Sequence, residues 1–233
     1  LKKGGNAVDA AVAVGFALGV VDQFNSGMGG GGFIVIRMAD GTVHTIDARE
    51  TAPALATRDM YLQDGEYIPE LSRTGSLSVG VPGIVAGDLE LLGIAGSKNL
   101  KELVTPSIQV AEDGFVLDEY YMSRYGWVIE GLTLDSASAG IYLNSDGNRY
   151  SAGDVLVQKD LAETYSKIAE NGIDYFYKGE FALALAEYMA QNGGLISFED
   201  MANYKPKLRD AVTGIYRGYE IIGMAPPSSG GVH

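Results

Sequence analysis

The stretch FNSGMGGGGFIVIR, residues 24–37, constrains the fold more than any other part of the chain. Its five glycines all fall between positions 27 and 32, directly before a run of β-branched residues. Glycine adopts backbone angles that other residues avoid and lets a second segment approach closely, so the cluster marks a tight turn or a close contact. Upstream, NAVDAAVAVGFALGVV (6–21) is almost continuously small and apolar, as a helix buried on most sides would be, with Asn6 as its N-cap. Downstream, FIVIRM is a strand by its β-branched content, ADG supplies hairpin-turn chemistry, and TVHTID alternates as the returning strand. The order is therefore helix, glycine loop, strand, turn, strand, and the loop must turn a buried helix sharply into a sheet.

The cluster contains a literal G-x-G-x-x-G, from Gly27 through Gly29 to Gly32. A dinucleotide fingerprint follows a strand and opens a helix, whereas here the helix comes first and the strand follows. A P-loop would need a Lys and a Ser or Thr after its last glycine, where Phe33 stands. The glycines are read as architectural.

Further along, SVGVPGIVAGDLELLG reads as a strand end with Pro82 opening a helix, and NLKELVTPSIQVAEDG as a helix interrupted near Pro106 and closed by Gly114. The periodic pattern weakens through EYYMSRYGW, and the polar NSDGNRYSAGD reads as an exposed loop. VQKDLAETYSKIAENG and EFALALAEYMAQNGG are the clearest amphipathic helices, each ending in Asn-Gly, a left-handed cap. SFEDMANY opens with a capping box from Ser197 to Asp200. AVTGIYRGYEIIGMAPPSSGG predicts two short strands linked around Gly218 and then a proline-glycine loop. Strands at both ends with helices between them predict an α/β layered (α+β) fold, and the 233 residues are read as a single domain segment.

Composition narrows the function classes. Seventeen Lys and Arg against 30 Asp and Glu leave a net charge of −13 with no basic run, which disfavours nucleic acid and anionic lipid alike. No cysteine is present, which removes disulfides, thiolate metal sites and a cysteine nucleophile. His44 and His233 are the only histidines, too few for a histidine-rich metal site, and His44 lies in an alternating strand where a solvent-facing role is expected. The chain opens on LKKGGNAVDA and closes on PPSSGGVH, and is expected to be cut from something longer at both ends.

Two further motifs carry polar chemistry. In DARETAP (47–53), Arg49 is flanked by Asp47 and Glu50, and by spacing alone this is a surface ion pair worth about 0–1 kcal/mol. APPSSGG, from Ala225, offers two adjacent hydroxyls on a constrained loop, but a serine nucleophile there is unsupported.

Taken together, GGNAVDAAVAV, SGMGGGGFIVIR, DARETAP, VPGIVAG, NGGLISFEDMANYKP and YRGYEIIGMAPPSSGG resemble the gamma-glutamyltransferase family, also called glutathione hydrolases. The six motifs recur in the family's order and cover most of the chain, with only 120–151 loosely matched. The resemblance implies part of an N-terminal-nucleophile hydrolase αββα sandwich, from a precursor that cleaves itself into a large and a small subunit. It places this chain in the large subunit, with the small subunit as its partner. The family nucleophile is a threonine at the start of the small subunit, so no catalytic residue is assigned within these residues. Arg49 is assigned by its matching motif to the α-carboxylate of the γ-glutamyl group. No metal or organic cofactor is implied.

The reading that follows is γ-glutamyl transfer or hydrolysis by the parent protein, with this segment alone inactive and prone to self-association through uncovered apolar surface. The alternative is a non-catalytic relative serving as a scaffold or binding subunit. The resemblance also suggests a periplasmic or extracellular home. It leaves open the roles of the glycines at 27–32 and of the loop at 226–231.

Overall fold

A computed structural model of the chain describes residues 1–231 and 233. In chain order the elements begin with α1 (Ala7–Val21), β1 (Gly32–Arg37), β2 (Val43–Ala48), β3 (Leu62–Gln63), β4 (Glu66–Tyr67), α2 (Ile84–Ala95), α3 (Leu100–Asp113) and β5 (Phe115–Val116). There follow α4 (Glu119–Leu132), α5 (Ser136–Tyr142), β6 (Val155–Leu156), α6 (Lys159–Asn171) and α7 (Ile173–Tyr177). The chain ends with α8 (Glu180–Gln191), α9 (Phe198–Asn203), β7 (Lys207–Arg209), β8 (Val212–Tyr216) and β9 (Tyr219–Gly223). This is the mixed helix-and-sheet class expected from the sequence. The residues group into two compact units, Leu1–Gly27 with Lys98–Tyr175, and Met28–Ser97 with Phe176–His233. No helix among the described residues is long and apolar enough to cross a membrane.

The first unit is built on α1, α3 and α6. Asn6 caps α1 as expected, its side chain accepting the N–H groups of Val8 and Asp9 while the Asp9 carboxylate accepts the Asn6 N–H at 2.7 Å. Val8, Val12, Phe16 and Val20 recur every four residues and are buried. Tyr165 of α6 packs edge-on against Phe16 and donates its hydroxyl to the Phe16 carbonyl at 3.2 Å.

One expectation fails in this unit. Pro106 does not interrupt α3, which runs unbroken through it. A proline inside a helix costs about 3 kcal/mol, but α3 buries Leu103, Val104 and Ala111. At roughly 1.5–3 kcal/mol for each large apolar side chain, that burial outweighs the missing hydrogen bond. The segment with the weak pattern also forms regular helix. In α4 the buried residues are Tyr121, Tyr125 and Ile129, again four apart, and Asp118 caps the helix by accepting the Tyr121 N–H at 2.7 Å. Their rings and side chains close over Leu117 and Leu156.

The second unit centres on the antiparallel sheet β1-β2-β7. Ile46 and Ala48 of β2 are fully buried, and α2 lies so close to them that a Cβ on Gly87 would stand 2.5 Å from the Ala48 Cβ. Strand residues alternate in direction, so Thr45 and Asp47 point to the opposite face. The predicted pair of short strands around Gly218 is the β8–β9 hairpin. Both predicted Asn-Gly helix ends hold, with left-handed Gly172 after α6 and Gly193 after α8.

Candidate functional site

Arg49 follows the last residue of β2, on the face that carries Thr45 and Asp47. Phe33 is the cross-strand partner of Asp47, and the Arg49 guanidinium carbon sits 5.6 Å from the Phe33 ring centroid. A cation over an aromatic face at this distance is held by the ring quadrupole, with about 0.5–1 kcal/mol expected at an exposed site. Arg49 Nε donates to Glu50 Oε2 at 3.3 Å. The side chain is 56% exposed, and its two terminal nitrogens have no partner among the described residues. The planar N–H pair that fits a carboxylate is thus free, while the base of the guanidinium is anchored.

The flanking carboxylates play different parts. Glu50 makes the ion pair with Arg49 that the spacing suggested. Asp47 does not, because its side chain is 7% exposed and pairs instead with Arg209 of β7, whose Nε and Nη2 reach Asp47 Oδ2 at 2.7 and 2.6 Å. Its other oxygen accepts the backbone N–H of Arg49 at 3.1 Å.

The carbonyl of Arg49 is held as well. Tyr204, just past α9, donates its hydroxyl to that oxygen at 2.9 Å. The Tyr204 ring stacks on Tyr177, with centroids 5.5 Å apart and planes 14° apart. Tyr177 in turn donates to the Pro82 carbonyl at 2.9 Å and accepts the Ala86 N–H at 3.3 Å. Burial, with the Asp47 and Glu50 charges adding to it, pushes the Tyr204 phenol up to about 12, so it stays a donor throughout the neutral range. Beyond Arg49, Thr51 bridges Val81, and the Ala54 N–H donates to Asp200 at 2.8 Å. Burial works to raise the Asp200 carboxyl, but hydrogen bonds from the Ser197 and Ala54 N–H groups and the Ser197 hydroxyl outweigh it and hold the group below its ordinary value.

The glycine cluster answers to two causes. Gly27 has φ +153°, a conformation that side chains resist, with no heavy atom near enough to obstruct one. Gly31 is a matter of space. A Cβ there would lie 2.5 Å from the Ala48 carbonyl oxygen and 2.7 Å from the Glu50 nitrogen. The cluster also supplies the Gly30 carbonyl, which accepts the Gly83 and Ile84 N–H groups at the start of α2, where no side chain caps the helix. Among the described residues no group of three or more His, Cys, Asp or Glu could hold a metal ion.

Tyr204 and Arg209 are absent from the sequence-based site. Both lie more than 150 positions from the residues they hold, and nothing local to DMANYKPKLRD points to residue 47 or 49.

The whole chain, residues 1–233, matches the family model described as gamma-glutamyltranspeptidase. The chain belongs to this family. It is 46% identical to the glutathione hydrolase proenzyme of Escherichia coli, over all of this chain and 40% of that protein. It thus spans about two fifths of the length of such curated relatives. Among solved structures it resembles the gamma-glutamyltranspeptidase of Helicobacter pylori, with TM-score 0.96 and 44% identity over 99% of this chain and 66% of that one. It also resembles the Pseudomonas nitroreducens gamma-glutamyltranspeptidase complexed with L-DON, with TM-score 0.90 and 39% identity, covering all of this chain and 68% of that one. The fold is therefore that of the matching part of a gamma-glutamyltranspeptidase, of the N-terminal-nucleophile hydrolase class.

Proposed function

We propose that the protein containing this chain transfers or hydrolyses γ-glutamyl groups, and that Arg49 holds the α-carboxylate of the donor. The observation that carries the reading is the state of the Arg49 guanidinium, anchored at Nε by Glu50 and backed by Phe33, with both terminal nitrogens free among the described residues. A carboxylate accepts two parallel N–H bonds from such a fork, and a charge-assisted pair of this kind is worth about 1.5–3 kcal/mol. Lysine would supply the charge without the fork. The net charge of −13 does not oppose this, because salt screens charges beyond about 8 Å.

In a γ-glutamyl group the α-carbon lies two methylenes from the scissile γ-carbonyl. Fixing the carboxylate therefore restricts where that carbonyl can sit, which is the positional part of catalysis. The family resemblance assigns the nucleophile to a threonine outside these 233 residues. Its own α-amino group takes the hydroxyl proton as the oxygen attacks the γ-amide carbon. The amine leaves with that proton, and water or an amino acid then takes the acyl group from the threonine. The small subunit of the same precursor is the partner in this reading, and a periplasmic or extracellular location follows from the same resemblance.

The test is Arg49→Ala in the complete protein. An arginine that grips a part of the substrate remote from the reacting bond binds ground and transition state alike, so its loss raises KM and spares kcat. The expected rise in KM for a γ-glutamyl anilide is about ten- to a hundredfold, with the mature threonine terminus still released. An unchanged KM removes Arg49 from the site.

A further inference from the structure

The peptide groups on either side of Arg49 lie beyond the sheet ladder, because β2 ends at Ala48. Two side chains take the ladder's place. Asp47 accepts the Arg49 N–H, and Tyr204 donates to the Arg49 carbonyl. The Asp47 carboxylate is itself fixed by Arg209, and the Tyr204 ring by its stack on Tyr177. The space for the phenol is made by Gly83, where a Cβ would stand 2.1 Å from the Tyr204 oxygen and 2.2 Å from the Ala48 carbonyl oxygen.

We propose that Tyr204 is a positioning residue for substrate binding, its hydroxyl fixing the Arg49 carbonyl so that the guanidinium meets the donor's carboxylate in one orientation. The inference rests on the carboxylate-binding role given above to Arg49. A backbone free to rotate about its last two dihedrals would swing the end of a long arginine side chain by several ångströms, and a bidentate pair tolerates little misalignment. The Asp47 contact restrains the N–H side only. Tyr204 completes the restraint from an element 155 residues away.

Tyr204→Phe in the complete protein removes one oxygen and keeps the ring on Tyr177. Two donors are compared in each variant, a γ-glutamyl anilide and the same anilide lacking its α-carboxylate. Their ratio of kcat/KM does not depend on how much of a variant folds. With Tyr204→Phe, KM for the complete donor is expected to rise about three- to tenfold, the scale of one hydrogen bond, with kcat and the decarboxylated donor unaffected. In an Arg49→Ala background the same change should add nothing, because the two residues act as one unit. An equal loss for both donors, no loss at all, or an undiminished effect in the Arg49→Ala background overturns the assignment. Should Arg49→Ala raise KM while Tyr204→Phe does not, the inference alone falls. An Arg49→Ala variant with unchanged KM overturns it together with the carboxylate reading.

Discussion

Asp88 stands in the second turn of α2, 9% exposed and without a hydrogen-bond partner among the described residues. Burial pushes its carboxyl up to about 7 from an ordinary value of 3.8. The direction of the pH effect follows from which state holds the proton. Between the two values the folded chain keeps Asp88 protonated while the unfolded chain has released the proton. The contribution of Asp88 is therefore fully present below about pH 4, declines as pH rises, and is lost above about 7. At about 1.4 kcal/mol per pH unit, the ionised side chain costs the fold on the order of 4 kcal/mol, of which about 2–3 kcal/mol falls between pH 5 and 8. Asp88→Asn keeps the shape and cannot ionise. Urea unfolding of the complete protein at pH 5 and pH 8, wild type beside Asp88→Asn, isolates this group, because contributions from every other residue cancel in the difference. The variant should gain about 2–3 kcal/mol on the wild type between the two pH values. A constant gap, or one moving the other way, would refute the claim that Asp88 is desolvated without compensation.

Gly31→Ala should destabilise the protein by about 1–3 kcal/mol and raise donor KM, since the new methyl group meets backbone atoms of Ala48 and Glu50 that cannot move independently of Arg49. Gly29→Ala, with open space around it, is the control that should change neither urea midpoint nor KM. Ser197→Ala removes the hydroxyl that caps α9 through the Asp200 N–H, and an urea midpoint lower by the equivalent of about 1 kcal/mol is expected.

Features set by near neighbours were legible in the sequence. The Asn6 cap, the Ser197 capping box, the β1–β2 hairpin and the helix-ending glycines all depend on residues a few positions apart, and all are present. Arg49 is assigned through the resemblance of its motif, and its Glu50 pair, suggested by spacing, is present. The misses have different causes. Pro106 signals a break locally, yet α3 is held by burial against α1 and α6, whose energy no local rule contains. In α4 the spacing of Tyr121, Tyr125 and Ile129 was available as a signal, obscured by the exposed Tyr120 and Trp127 among them. The β3–β4 hairpin turns on Asp64 and Gly65, a turn pair that the sequence itself displays.

By itself, the sequence determined the opening order of helix, glycine loop and hairpin, the α/β class and the family, and its motif proposed the arginine just past the second strand. Hydrophobic period, caps and turn residues act over a few positions, so the linear order carries them. What surrounds that arginine was decided only by the tertiary structure. Asp47 turned away to Arg209, 162 positions on, and the Arg49 carbonyl was taken by Tyr204, 155 positions on. A buried carboxylate takes the cation that folding brings beside it, and a carbonyl left over at a strand's end takes the nearest donor. Neither choice has a trace in the residues adjacent along the chain.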